Sequence, residues 1–286
     1  MKPAAFAYVK ARSLDEAIEL LGTADGARVL AGGQSLIATL NMRLSSPSLL
    51  VDINHIAGLD RIVRRNGHIE IGALARHAEA ERSADVAQAA PLIARALPHI
   101  GHVAIRNRGT LGGSIAFADP AAELPACLLA LDGKIDIAGP NGGRTVKADA
   151  FFKGLFETEL GPRDVLTAIR VPAADPRTRV GFAELTRRHG DYAMVGLAAC
   201  ARADGAALAD LRLAYFGVGA TALRARRAEA ALSGGALDAP RIDAAVAALA
   251  DDLDPPDDIH STGAVKKHLA GVLLRRVAAQ LAEPGA

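Results

Sequence analysis

Two glycine-dense turns constrain this chain more than any other feature of its sequence. One is AGGQS at residues 31–35; the other is the longer run IRNRGTLGGSIAFADPAAELPA at residues 105–126. Each lies between apolar segments, and each is followed by a stretch able to form a helix. Glycine is used where a backbone must approach something closely or adopt positive φ. Two such turns in one chain point to a single large, extended, anionic ligand.

The surrounding pattern alternates helix and strand. Ser13 is placed to cap a helix SLDEAIELLG whose Leu14, Ala17, Ile18 and Leu21 share one face. Residues 28–31 read as a short strand, Gly32 and Gly33 as a turn, Ser35 as the N-cap of a helix LIATLNMRL, and residues 49–53 as a second strand. This is a β-α-β unit with glycines at its strand-to-helix turn. A hairpin is expected around Asn66-Gly67. Helical stretches follow at 77–90 and 91–97. Asp119-Pro120 is expected to open a helix that Pro125 breaks and that ends at Gly133. A second hairpin, KIDIAGPNGGRTVKADAFF, and a strand, DVLTAIRVP, lead to a boundary near 173–179. Beyond it, FAELTRR, VGLAACARAD and LRLAYFGVG predict a small antiparallel sheet, and three helical runs close the chain. The last is expected to pack through a stripe of Val265, Leu269, Val272, Leu273 and Val277.

Composition narrows the function. The net charge of +1 does not attract a polyanion such as nucleic acid, and 3% aromatic content leaves little for stacking bases. Cys127 and Cys200, the two cysteines, sit in apolar contexts and read as inert thiols; an iron–sulfur cluster takes four thiolates. No metal-ligand spacing occurs, so no metal site is expected on this chain. The N-terminal MKPAAFAYVKARS lacks the apolar core of a signal peptide. No run approaches the ~20 apolar residues of a membrane span. A soluble, cytoplasmic setting is the expectation.

The residues alone leave alternatives open. AGGQS places N–H groups, a helix dipole and the Ser35 hydroxyl where a pyrophosphate would fit, yet it also reads as a plain structural turn; the spaced G-x-G-x-x-G fingerprint is missing. Thr110, Leu111, Gly112, Gly113 and Ser114 offer further N–H groups and two hydroxyls, or a tight turn. Arg106 and Arg108 are either solvated or orient this loop. Asp119 and Glu123, four apart, could accept hydrogen bonds from ribose or ribityl hydroxyls, or serve as a cap and a solvated surface charge. Tyr192, between Gly190-Asp191 and Ala193, reads as a packing residue.

Taken together and in order, AGGQSL…NMRL, IRNRGTLGGSIAFADPAAELPA and RRHGDYA resemble the FAD-binding medium subunit of the molybdenum hydroxylases, the carbon monoxide dehydrogenase and xanthine dehydrogenase relatives. The likeness covers essentially the whole chain. It implies an α+β fold: a two-subdomain FAD-binding domain of the PCMH type at residues 1–175, divided at 55/56, and a C-terminal domain of small antiparallel sheet and helices at 176–286. It implies that Val29, Leu30, Ala31, Gly32, Gly33, Gln34, Ser35 and Leu36 wrap the FAD pyrophosphate. Thr110, Leu111, Gly112, Gly113 and Ser114 would contact the diphosphate and approach the flavin. Glu123 and Asp119 would make polar contacts, and Leu166 and Tyr192 would lie by the isoalloxazine. Many relatives carry a lysine three residues before the Arg-Arg pair, where this chain has Glu184.

The same resemblance implies a role with no catalytic residue of its own. The chain would hold FAD non-covalently and pass electrons from [2Fe–2S] clusters on a small partner subunit to an external acceptor. Molybdopterin would reside on a large partner subunit, in a heterohexamer built as a dimer of heterotrimers. Two other readings of the residues are a self-contained FAD-dependent oxidoreductase related to enolpyruvyl reductases and a non-enzymatic nucleotide-binding module.

Overall fold

A computed structural model describes residues 1–283. Three parallel strands form the N-terminal layer: β1 (Ala7–Lys10), β2 (Arg28–Leu30) and β3 (Leu49–Asp52), in the order β1-β3-β2. Tyr8 pairs with Leu50, and Leu30 with Asp52. Two helices intervene, α1 (Leu14–Leu21) between β1 and β2 and α2 (Leu36–Asn41) between β2 and β3. Ser13 caps α1 by accepting the Glu16 N–H, while Asp15 and Glu16 in its first turn favour the dipole's positive end.

The second layer begins with the hairpin β4 (Ile62–Arg65) and β5 (His68–Gly72), turned at Asn66-Gly67 as expected. Short helices follow: α3 (His77–Arg82), α4 (Ala84–Ala89) and α5 (Pro91–Ala96), a 3-10 turn (Leu97–His99), α6 (Val103–Arg106), α7 (Leu111–Phe117) and α8 (Glu123–Ala130). Ser83 splits the expected 77–90 helix by capping α4. Next come β6 (Lys134–Gly139), β7 (Gly142–Lys147), α9 (Ala148–Phe151), the small hairpin β8 (Phe152–Gly154) and β9 (Glu157–Thr158), and β10 (Val165–Pro172). The antiparallel sheet runs β4-β5-β10-β6-β7.

The last layers are β11 (Thr178–Leu185), β12 (Val195–Asp204), β13 (Ala207–Phe216) and β14 (Leu223–Arg224), then α10 (Arg226–Leu232), α11 (Ala239–Asp252) and α12 (Gly263–Ala282). One face of this sheet, through Phe182, Ala198, Ala214 and Phe216, joins the core built by α5, α7, α8 and β10. The other face packs Leu197, Leu213 and Tyr215 against α10–α12. The sheet is therefore held between two helical layers, and α8 lies in the middle. Every residue of α8 is buried, which is why its sequence shows no polar stripe.

Two expectations need correction. The helix expected from Asp119-Pro120 starts at Glu123; Asp119 instead folds a turn in which its carboxylate accepts the Ala121 N–H at 2.9 Å. Pro125 is tolerated because it falls in the first turn, where its missing N–H has no partner to lose. The buried stripe of α12 is Lys266, Ala270, Leu273, Leu274, Val277 and Leu281. Val265 is exposed, and Leu269 and Val272 lie at the margin. Lys266 belongs to the buried face because its stem packs while its ammonium meets Asp258 at 2.7 Å.

Candidate cofactor site

The first glycine turn lies at the carboxyl ends of the parallel strands, the place where open α/β sheets take their ligands. Gly33 has φ +72°, so the chain leaves β2 through a left-handed step before α2 begins. Ser35 stands at the N-cap position with helical dihedrals and makes no side-chain cap, which corrects the expected role of its hydroxyl. The backbone amides of Gly33, Gln34, Ser35 and Leu36 donate to no group among the described residues. Gly33 and Gln34 line a cleft of about 520 Å³ together with Tyr8, Leu30, Ala31, Gly32, Ile37, Ala38, Asn41, Asp52, Asn54 and Arg108. Val29 turns away and packs on the N-terminal core.

Behind the cleft runs a polar chain that the sequence did not reveal. Tyr8 donates to Asp52; Asp52 accepts from Asn54 N and Nδ2 at 2.8 and 2.7 Å. The Asn54 amide also donates to the Ala31 carbonyl at 2.9 Å, fixing the turn from below. Arg76 donates to Asn54 Oδ1 at 2.7 Å and to the Arg108 carbonyl. Asp52 is held below the usual carboxylate range: burial opposes this, but the bonds from Tyr8 and Asn54 outweigh it.

The two loops touch. A Cβ on Gly32 would stand 2.2 Å from the Arg108 carbonyl oxygen, so only glycine lets the first loop press against the start of the second. The second loop spends its amides internally. Leu111 N–H goes to Ala75, Gly112 to Ala73, Ser114 to the Thr110 carbonyl and Gly113 to the Thr110 hydroxyl. This corrects the expectation of free N–H groups at residues 111–114; the Thr110 amide has no partner among the described residues. What remains for a ligand is that amide and hydroxyl chemistry. Ser114 Oγ lies 3.1 Å from Nε2 of His77, a residue singled out by nothing in the sequence. His77 is buried and its pKa is pushed down to about 4, chiefly by loss of water, so it is neutral near pH 7. Leu111 is buried in the core.

Arg106 is not solvated. It is buried, pairs with Glu81 at 2.9 Å and donates to the carbonyls of Ile100 and Gly101, tying down the segment before the loop. Arg108 is exposed and supplies positive charge at the cleft.

A second group of predicted residues gathers near the start of α8. Glu123 is buried, and burial pushes its pKa up to about 8. That removes the reading of Glu123 as a solvated charge. Asp119 lies outside the helix, so the two do not share a helical face; its pKa is also raised by burial. Tyr192 is 64% exposed on the β11–β12 connection, which leaves an aromatic face uncovered beside these carboxyls. Glu184 pairs with His99 at 3.2 Å. Leu166 stands apart: it is buried in β10 opposite Ile137, at a bulge whose Thr167 carbonyl accepts from Ala73 beneath α7.

The residues present fit an extended dinucleotide. Free amides and Arg108 suit its diphosphate, and an exposed tyrosine beside the buried Glu123 suits a flavin ring. Among the described residues no cluster of His, Cys, Asp or Glu could hold a metal ion, and no helix is long and apolar enough to cross a membrane. Burial raises the pKa of both cysteines, Cys200 to about 11, in keeping with inert thiols.

Comparison with known proteins agrees with this geometry. Residues 4–174 match the family model "FAD binding domain in molybdopterin dehydrogenase", and residues 181–281 match "CO dehydrogenase flavoprotein C-terminal domain". The 6-hydroxypseudooxynicotine dehydrogenase complex subunit alpha of Paenarthrobacter nicotinovorans is 38% identical over 98% of this chain and 95% of its own. The carbon monoxide dehydrogenase medium chain of Hydrogenophaga pseudoflava is 35% identical over 96% of each. A solved structure of carbon monoxide dehydrogenase from the same organism superposes with a TM-score of 0.96, at 37% identity and 98% coverage of both chains. The chain belongs to the family of FAD-binding medium subunits of molybdenum hydroxylases, the carbon monoxide dehydrogenase and xanthine dehydrogenase relatives.

Proposed function

We propose that this chain is the flavoprotein subunit of a molybdenum hydroxylase and carries electrons between partner-borne [2Fe–2S] clusters and an external acceptor. The row of unpartnered amides from Gly33 to Leu36, which starts at a cleft shared by Gly33, Gln34 and Arg108, carries this reading. When bound, FAD supplies the exchange between two-electron and one-electron chemistry. The protein's own residues hold it. The first loop and Arg108 take the diphosphate without covalent attachment. Thr110 and Ser114 present hydroxyls to it, with Gly112 and Gly113 giving α7 its close seat. Asp119 and Glu123 meet polar atoms at the flavin end, where Tyr192 covers the ring. Leu166 acts from beneath, through its bulge.

The division of labour follows domain lines: residues 1–175 hold the cofactor, in subdomains 1–55 and 56–175, and residues 176–286 supply Tyr192 and the packing behind it. A small cluster-bearing subunit and a large molybdopterin subunit complete the assembly, as a dimer of heterotrimers in the cytoplasm. Relatives named as subunits of a dehydrogenase complex or medium chains of carbon monoxide dehydrogenase support an assembly of this kind.

Reconstitution with FAD tests the reading. The purified chain should bind one FAD, release it to the supernatant on acid precipitation, and contain neither molybdenum nor iron. A chain that takes up no flavin, or that oxidises an organic substrate at full rate alone, overturns it.

A further inference from the structure

Away from the glycine turns, three elements bring together ionisable groups that are buried or half-buried. His99 ends the 3-10 turn after α5, Glu184 lies near the end of β11, and Glu123 opens α8. His99 Nδ1 is 3.2 Å from Glu184 Oε1, and the Glu184 side chain is 4% exposed. Its other oxygen, Oε2, is buried with no hydrogen-bond partner among the described residues. An unpartnered carboxylate oxygen in such a place is costly, and the cost falls when charge is neutralised nearby.

The neighbours do little to neutralise it. Asp119 adds a further acid from the preceding turn. From the β11–β12 connection the His189 ring lies 6.4 Å from that of His99, and Tyr192 stands near Asp119 and Glu123. From α5, Arg95 is committed to the Val180 carbonyl at 3.0 Å. His102 sits across the Gly190 turn, α12 contributes the neutral Gln280 on Phe182, and Cys127 of α8 is buried. Among the described residues no fixed cation pairs with Glu184; His99 is the group placed to balance it, by taking a proton.

We propose that His99 and Glu184, with Glu123 beside them, form a proton-storage site for the flavin end of the cleft: it takes one proton from water when two electrons are loaded onto bound FAD, and returns it when they leave. This rests on the placement of Asp119, Glu123 and Tyr192 at that end of the cofactor. The electrons come from the partner's cluster and go to the external acceptor. The proton binds a ring nitrogen of His99, and no other bond forms or breaks. The direction follows from the surroundings. Glu184 raises the proton affinity of His99 against the opposing effect of burial, and Glu123 holds its own proton up to about pH 8. Negative charge arriving next to such groups raises their affinity further.

The test uses the full chain loaded with FAD, in wild-type, Glu184→Gln and His99→Gln forms, with the flavin midpoint potential followed by spectroelectrochemistry from pH 6 to 9. The wild type should take up one more proton per two electrons than either variant, in a window alkaline of ordinary histidine titration. In the apoprotein, ring-labelled His99 should titrate above the ordinary histidine range in the wild type and below it in Glu184→Gln, where burial acts alone. Superimposable potential–pH curves for the three proteins would overturn the proposal while leaving the FAD site intact. Identical His99 titration in wild-type and Glu184→Gln apoprotein overturns it whether or not flavin binds. A wild-type chain that takes up no FAD overturns the site reading, and the coupling with it, even though the His99 shift is still measured.

Discussion

The loop at residues 31–35 and the loop at 109–114 are both rich in glycine, both precede a short helix, and they lean on each other at Gly32 and Arg108. Their amides have opposite fates. In the first loop, four successive N–H groups from Gly33 to Leu36 have no partner among the described residues, and Gly33 and Gln34 line a cleft. In the second, the amides of Leu111, Gly112, Gly113 and Ser114 are all used to seat α7 on the end of β5 and to cap it. The first loop leaves its amides available, and the second spends those of Leu111 to Ser114 on its own protein. Glycine density announces a backbone that comes close to something; it does not say whether that something is a ligand or another strand.

The largest effect that could break this contrast is at Gly112. Its Cβ would fall 2.5 Å from the Ala73 Cβ and 2.7 Å from the Ala73 carbonyl oxygen, with backbone on both sides. Overpacking of this kind costs about 1–3 kcal/mol, and more where backbone must move. Gly112→Val is expected to lower Tm by about 5–10 °C and to lose FAD as a consequence of the disturbed fold. Thermal unfolding of the apoprotein checks it; an unchanged Tm would mean that the second loop's glycine serves the ligand after all.

Gly33→Val should behave differently. Around Gly33 a Cβ meets only side-chain carbons, Ile37 Cγ1 at 3.2 Å and Leu30 Cδ1 at 3.4 Å, and the obstacle is its φ of +72°. A side chain in left-handed backbone costs about 1–2 kcal/mol. The free loop can relax away from that strain, whereas the ligand-bound loop cannot. The cost then appears in affinity, as a rise in the FAD Kd of about tenfold, with Tm of the apoprotein nearly unchanged. Flavin titration monitored by fluorescence measures it, and equal Kd values for wild type and variant would remove the first loop from the phosphate site.

The sequence made local features readable and long-range ones not. The parallel unit of β2, α2 and β3, the Asn66-Gly67 hairpin and the Ser13 cap follow from neighbours within a few residues of each other, and the structure contains all three. The polar chain Tyr8–Asp52–Asn54–Arg76–Arg108 draws on partners up to 44 residues apart, and His99 and Glu184 are 85 apart. No periodicity or spacing encodes such pairs. The α12 stripe fails for a related reason. Val265 and Val272 look like the better core residues, yet Lys266 is buried because Asp258, on the preceding loop, receives its charge. Asp52 did carry one legible signal, a carboxylate ending an apolar strand of a parallel unit.

The smallest expected effect sharpens the contrast at the second loop, where the proposed contact to the ligand is a side chain rather than an amide. His77 positions the Ser114 hydroxyl, and Nδ1 of the same ring is buried without a partner among the described residues. His77→Gln keeps a group able to reach Ser114, so FAD affinity at pH 7.5 should change by no more than about threefold, under 1 kcal/mol. The informative variable is pH. Burial lowers the pKa of His77 from 6.5 to about 4, so between those values the unfolded chain binds a proton that the folded chain refuses. The stabilising contribution of neutral His77 is therefore complete above about pH 6.5 and is lost as pH falls toward 4, by on the order of 3 kcal/mol across the window. His77→Gln removes this dependence. Chemical denaturation of both proteins at pH 7.5, 6 and 5 should show the wild type losing stability faster than the variant on acidification. Parallel pH profiles would show that His77 is not held neutral by burial, and its hold on the Ser114 hydroxyl would need another explanation.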